Sequence, residues 1–429
     1  MKIVSSLWLI VPAALTMFVA CKPKNSATTP VATTQAADSA KVEANIPAEK
    51  EKATPLTFNE YKASRERLWD LIHTRIEISF DWQKRQAIAE ATLKLKPYFY
   101  AQDTLRLDAV GFDISEINQV VGQKETPLKF SYDSSVITIP LAKKWKRNEE
   151  ITLSISYIAN PERNADGGGS AITSEKGLFF INHDGKDTTK PQQIWTQGET
   201  QFSSRWFPTI DSPNEKSTQE MLITVDSAYV TLSNGTLQYS TYNKKNKTRT
   251  DVWEMKQPHA TYLFMLAVGK FAVIKDTWRK KEVNYYVESE YAADARAIFG
   301  RTPAMLEFFS KRFGVDYPWA KYSQIIVREY VSGAMENTSA SIFMEAVQKK
   351  SRYFEDETWD DIVSHELAHH WFGDLVTAES WGMLPLNESF ANYSEYLWRE
   401  EANGRDDADL HLYEAFGQYL SGAEDNLQP

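Results

Sequence analysis

The stretch that decides the reading is Asp360-Asp361-Ile362-Val363-Ser364-His365-Glu366-Leu367-Ala368-His369-His370-Trp371-Phe372-Gly373. Its apolar residues Ile362, Val363, Leu367 and Trp371 recur on a helical period, and Gly373 offers a stop. Acidic Asp356, Glu357, Asp360 and Asp361 stand near its start, where the helix dipole favours negative charge. Positions four apart on a helix share a face, so His365 and His369 can reach one Zn²⁺, each at about 2.0–2.1 Å. Glu366, one step round, can address a water on that metal. A catalytic zinc takes a third protein ligand and keeps an open position. Eighteen residues after His369 comes Asn387-Glu388-Ser389-Phe390-Ala391-Asn392-Tyr393, and Glu388 is the candidate third ligand. A second helix is expected from about 387 to 402, stopping at Asn403-Gly404. An antiparallel pair of helices would bring its first turn back beside the histidines. The bland alternative, charged residues on a surface helix, does not account for a glutamate at that spacing.

Working outward, the chain has 429 residues, which suits two or three domains. Hydrophobic residues make up 42% and charged residues 25%, the balance of a globular protein. A mean hydropathy of -0.46 excludes a polytopic membrane protein. The net charge of -10 argues against a nucleic-acid partner, which would call for a basic face. One cysteine excludes an internal disulfide and a cysteine-based zinc cluster. The expected fold class is multidomain α+β. Phe58 to His73 has helical spacing, and from Thr74 the pattern turns to period two. Arg75 to Phe80, Thr104 to Leu107, Ile151 to Tyr157, Met221 to Val225, Thr261 to Val268 and Val283 to Val287 read as antiparallel strands. Asp166-Gly167-Gly168-Gly169-Ser170 reads as a loop without phosphate-binding context. Ala292 to Phe313 reads as a helix ending at Gly314, and Gln324 to Val327 as a short strand. A β-rich domain over 58–285 and a mixed α/β domain over 286–429 follow from this change of texture.

The amino terminus reads as an export signal. Met1-Lys2 precedes a mostly apolar stretch from Val4 to Ala20, which ends in Phe18-Val19-Ala20-Cys21. This resembles a bacterial lipobox, in which Cys21 is lipidated and becomes the first residue. Residues 1–21 are then a lipoprotein signal peptide. Residues 22–57, rich in Ala, Thr, Lys, Pro and Glu, form a flexible linker that cannot bury enough apolar surface to fold. The expected location is the bacterial cell envelope, lipid-anchored and facing the periplasm or the surface.

With His365 to Asp374 and Leu386-Asn387-Glu388 in view, the chain resembles the aminopeptidase N and leukotriene hydrolase family of zinc metallopeptidases. Gly333-Ala334-Met335-Glu336-Asn337 matches that family's exopeptidase signature. Thr196-Gln197-Gly198-Glu199 and the run from Phe207-Pro208 to Lys216 are similar to its substrate loop and following strand. The resemblance covers about residues 60 to 429. It implies a saddle-like antiparallel β domain, then a thermolysin-like catalytic domain, then a helical carboxy-terminal domain. It also implies one Zn²⁺ per chain and removal of single residues from the free amino termini of peptides. Glu366 then acts as general base and acid. Glu336, with Glu199 as a second carboxylate, meets the substrate's α-ammonium. Gln197, Gly333, Ala334, Met335 and Asn337 complete the peptide-binding set. His370 and Asp374 stand where relatives usually carry other polar residues. Asn392, four residues after Glu388, is a candidate support for a zinc ligand, and His73, His183, His259 and His411 read as structural.

Relatives also carry an oxyanion-stabilising tyrosine sixty or more residues after the third ligand. Only 41 residues follow Glu388, and neither Tyr413 nor Tyr419 has that spacing. The helical carboxy-terminal domain is absent as well, so a fragment of a longer protein is expected. The rival readings are a thermolysin-type zinc endopeptidase and a non-catalytic zinc-binding fragment. The intact Gly333 to Asn337 motif argues against the first, and the retained Glu366 against the second. No residue here requires the epoxide hydrolysis of one family branch.

Overall fold

The computed structural model describes residues 64–163, 165, 172–355 and 357–424, which belong to one compact unit. The signal, the linker and the glycine loop at 166–170 lie outside the described residues.

An eight-stranded sheet forms the amino-terminal half. It contains β1 (Trp69–Asp81), β2 (Gln86–Pro97), β3 (Ile151–Ala159), β4 (Lys216–Asp226) and β5 (Thr248–Ala260). The order is Thr236–Asn243, β5, β4, β1, β2, β3, Phe112–Val121, Lys124–Pro127. All neighbours are antiparallel except β1 and β4, which run parallel. Alternation does the sorting: Ala87, Ala89, Ala91, Leu93 and Leu95 of β2 are buried, and Lys94 and Lys96 point outward. Two smaller sheets, of four and three strands, pack with it into a shared core that includes Trp195, Trp206 and Phe207.

The helix expected over Phe58 to His73 is replaced by strand from Trp69 onward, and residues 64–68 carry no regular structure. The register of β1 against β2 shifts between Leu71 and His73. Buried positions therefore fall at Trp69, Leu71, Thr74, Ile76 and Ile78. The three-residue step from 71 to 74 is the mark of a bulge, and in sequence it imitates a helical step.

The second half is built on a five-stranded sheet: β6 (Phe271–Trp278), β7 (Lys281–Glu288), β8 (Lys321–Val327), β9 (Ala334–Met335) and β10 (Ala340–Met344), in the order β6-β7-β8-β10-β9. This sheet begins at Phe271, ahead of the change of texture at 285. Strand β7 covers the expected 283–287, but it is buried on both faces rather than alternating, and its partner β8 is parallel and lies across a helical crossover. That crossover is two helices, α1 (Ala295–Phe299) and α2 (Thr302–Phe313), interrupted at Gly300-Arg301. Helix α2 stops at Gly314, whose φ of 70° suits a residue without Cβ. Thr261 to Val268 is a short 3₁₀ turn at Thr261–Leu263 followed by strand Leu266–Gly269. The last three helices are α3 (Asp360–Ala368), α4 (Pro385–Asn403) and α5 (Arg405–Glu424). Among the described residues no further helical domain follows α5.

Candidate metal centre

Helix α3 is anchored at its acidic end and buried along one face. Asp360 pairs with Arg301 and accepts from Trp398 Nε1 at 3.3 Å, and Arg399 donates to Asp361 Oδ1 at 2.7 Å. Val363, Leu367, Ala368 and Trp371 pack into the core with Phe309 and Tyr317. The regular helix ends at Ala368, ahead of Gly373, and His369 caps it with helical backbone angles. Helix α4 packs against α3 and delivers Glu388 from its first turn.

One donor atom from each of His365, His369 and Glu388 lies within 4.8 Å of the other two. The hydrogen bonds fix which nitrogens face inward. His365 Nδ1 is 2.7 Å from Glu395 Oε1, and His369 Nδ1 is 3.0 Å from the Phe372 carbonyl oxygen, so each Nδ1 donates. The two Nε2 atoms then face one another at 2.9 Å, with Glu388 Oε2 at 3.4 Å and 3.7 Å. Two imidazole lone pairs and a carboxylate converging on one point fit a bound divalent cation and the ligand set of a catalytic zinc. In a metal-free pocket a proton does part of that work. Burial opposes charge on His365, yet its hydrogen bonds to Glu388 and Glu395 hold its pKa well above the usual value. Burial, with His365 beside it, pushes His369 down to about 4.

The same cavity, of about 590 Å³, is lined by Glu199, Gly333, Ala334, Glu336 and Glu366 as well as the three donors. Glu366 is buried, and its Oε2 has no hydrogen-bond partner among the described residues. Burial first, then the neighbouring carboxylates, raises the pKa of Glu199 and Glu366 well above normal and that of Glu336 to about 7. Six acidic side chains lining one cavity, Glu199, Glu336, Asp361, Glu366, Glu388 and Glu395, favour the entry of positive charge. Glu199 reaches the pocket because Gly198 lets its loop press against Tyr262. A Cβ on Gly198 would sit 2.1 Å from the Tyr262 carbonyl oxygen. Gly333 and Ala334 lie at β9, the edge strand of its sheet, which leaves one side of its backbone unpaired.

Gln197, Met335 and Asn337 lie behind this wall. Gln197 Oε1 accepts from Tyr330 OH at 2.5 Å, its Nε2 contacts Met335 Sδ at 3.3 Å, and Asn337 Nδ2 donates to the Leu263 carbonyl at 3.4 Å. They shape the loops that carry Glu199 and Glu336. Asn392 is exposed on α4, and Tyr413 and Tyr419 are exposed on α5. His370 is wholly buried. Its Nδ1 donates to the Glu366 carbonyl and its Nε2 accepts from Ser339 N, both at 3.0 Å, joining α3 to the residues that follow Asn337.

Two contributors were not visible in the sequence reading. Tyr262 OH donates to Glu336 Oε1 at 3.3 Å and accepts from Asn387 Nδ2 at 3.2 Å, tying Glu336 to the first turn of α4. Glu395 supports His365. Its signal was available: it stands seven residues after Glu388, two helical turns along the same face.

Fold and site together define a two-part architecture: a β-sheet domain, then a helix-borne histidine pair with a glutamate from the next helix. The family models agree with that division. The peptidase M1 N-terminal domain matches residues 58–263, and the peptidase family M1 domain matches residues 298–426. The chain belongs to peptidase family M1, the aminopeptidase N family. Aminopeptidase N of Streptomyces lividans is 31% identical over 221 residues, covering 49% of this chain and 25% of that protein. Human glutamyl aminopeptidase is 31% identical over 209 residues, covering 48% and 22%. A probable aminopeptidase 1 of Sulfurisphaera tokodaii is 26% identical over 329 residues, covering 75% and 38%. The matched stretches thus span less than half the length of these relatives. A crystal structure of a two-domain M1 zinc metallopeptidase mutant bound to L-tryptophan shares the fold, with a TM-score of 0.68 at 20% identity. It covers 85% of this chain and 77% of that one.

Proposed function

We propose that this chain carries the β-sheet and catalytic domains of a zinc aminopeptidase, with one Zn²⁺ per chain held by His365, His369 and Glu388. The observation that carries the reading is the cavity itself, where Glu199 and Glu336 face the same space as the three metal donors. A zinc ion there supplies Lewis-acid polarisation of the scissile carbonyl and a lowered pKa for a water it binds. Glu366 takes the proton that the attacking water gives up and passes it to the leaving amine. Glu336 and Glu199 hold the substrate's α-ammonium, and the free edge of β9 holds its backbone extended.

The test uses one peptide, free and N-acetylated, with residues 22–429 and zinc. Cleavage of the free form alone is expected. A charge-assisted contact contributes about 1.5–3 kcal/mol. Glu336→Gln should therefore lower kcat/KM on the free peptide by about 10- to 100-fold. Equal cleavage of the acetylated peptide, unchanged by Glu336→Gln, would establish an endopeptidase instead.

We also infer that the chain is lipid-anchored at a bacterial cell envelope through Cys21. Support comes from the apolar run that ends in Phe18-Val19-Ala20-Cys21. Among the described residues no helix is long and apolar enough to cross a membrane. Radiolabelled palmitate should enter the wild-type chain and be missing from Cys21→Ser. Equal labelling of both would remove the proposal.

A further inference from the structure

We propose that His411 is a positioning residue for the metal centre, acting through Glu395 on His365. The inference rests on the zinc reading above. Glu388 and Glu395 stand two turns apart on α4, so both face α3. Glu388 meets the inward nitrogens of the histidines, while Glu395 takes the outward Nδ1–H of His365 at 2.7 Å. That contact uses Oε1 alone and would leave the carboxylate free to swing about its own side chain. Its other oxygen, Oε2, lies 3.3 Å from His411 Nε2 on α5. Both side chains are largely enclosed, Glu395 17% and His411 20% exposed, whereas Leu410, Leu412 and Tyr413 beside His411 are all more than half exposed.

His411 is itself held in place. Ala408, three residues earlier on the same helical face, is buried against Tyr396 and Leu397 of α4. Tyr396 OH donates to Asp409 Oδ1 at 3.2 Å. Arg399 bridges Asp407 of α5, at 3.1 Å, to Asp361 of α3. With His365 Nδ1 bonded to Oε1 and His411 Nε2 placed 3.3 Å from Oε2, the carboxylate is approached on both sides and keeps the His365 ring in one orientation and one tautomer, its Nε2 facing that of His369. Outer partners of this kind tune metal affinity. The role needs only an Nε2 donor at position 411, whatever that ring's charge.

The experiment measures zinc affinity by competition with a chromophoric chelator, on the full chain and its variants. Glu395→Ala should weaken zinc binding by about 10- to 100-fold. His411→Ala, one contact further out, should weaken it by about 10-fold, the lower end of that range. His411→Gln, whose side-chain amide can donate to the same oxygen, should recover most of the loss. In a Glu395→Ala background, His411→Ala should cost nothing more. The melting temperatures of the metal-free proteins are read in parallel, since a merely structural histidine would lower these and leave zinc affinity alone. An equal loss in both backgrounds, failure of glutamine to rescue, or unchanged zinc affinity would each overturn the proposal. Wild-type protein that takes up no zinc would overturn the zinc reading as well. Zinc uptake indifferent to residue 411 would overturn this inference alone.

Discussion

Glu366→Gln is expected to reduce peptide hydrolysis by about 10²–10⁴-fold, the usual yield of a positioned general base and acid. Zinc stoichiometry should not change. Glu366 contributes no donor to the metal, and glutamine has nearly the same shape. The buried Oε2 of Glu366 has no hydrogen-bond partner among the described residues, which leaves it open to a water in the cavity. The measurement is single-turnover hydrolysis alongside metal analysis of the same sample. Retained turnover with zinc bound would mean that another group moves the proton. Loss of zinc would mean that Glu366 is structural.

His369→Ala is expected to abolish zinc uptake at micromolar metal. Loss of an outer partner alone costs about 10- to 100-fold in affinity, and loss of a direct ligand should cost at least the upper figure. His369 is also the donor with least alternative. It is almost wholly buried, its Nδ1 is committed to the Phe372 carbonyl, and its pKa near 4 keeps Nε2 available as a lone pair. Thermal unfolding reads the effect without any assay of catalysis. A ligand at 100 times its Kd adds about 2.7 kcal/mol to stability. Zinc should therefore raise the melting temperature of wild type and leave that of His369→Ala where it was. An equal rise in both would place the metal elsewhere.

The metal centre was legible because its information is local. The two histidines share a face by helix geometry alone, and the connection between α3 and α4 brings Glu388 back beside them. The alternating strands were legible for the same reason, as a two-residue period is printed in the sequence. What failed was decided at a distance. Trp69 and Leu71 belong to a strand because β1 pairs with β2 and with β4, the latter some 145 residues away, and the bulge after Leu71 hid the period. His370 points off the metal face and packs, as its position on the helix implies, but its partners, the Glu366 carbonyl and Ser339 N, are backbone atoms that no side-chain pattern encodes. His411 reads as structural in the sequence, and its contact with Glu395 on another helix is invisible to local spacing. Gln197 belongs to the 196–199 motif and Met335 and Asn337 to the 333–337 motif; in these motifs Glu199, Gly333, Ala334 and Glu336 line the cavity, while Gln197, Met335 and Asn337 lie behind it.

The seam between the halves carries a further consequence. All three metal donors and Glu366 come from residues after 298, but Glu199 and Tyr262 come from the amino-terminal half. Lys216 of β4 donates to the carbonyls of Asp374 and Leu375, just past α3, at 3.0 Å each. The β-sheet half thus supplies part of the cavity wall and none of the metal donors. Zinc content therefore reports only on residues of the second half, because Glu199 and Tyr262 are no part of the donor set. For this architecture, counting zinc certifies the furnace and says nothing about the door.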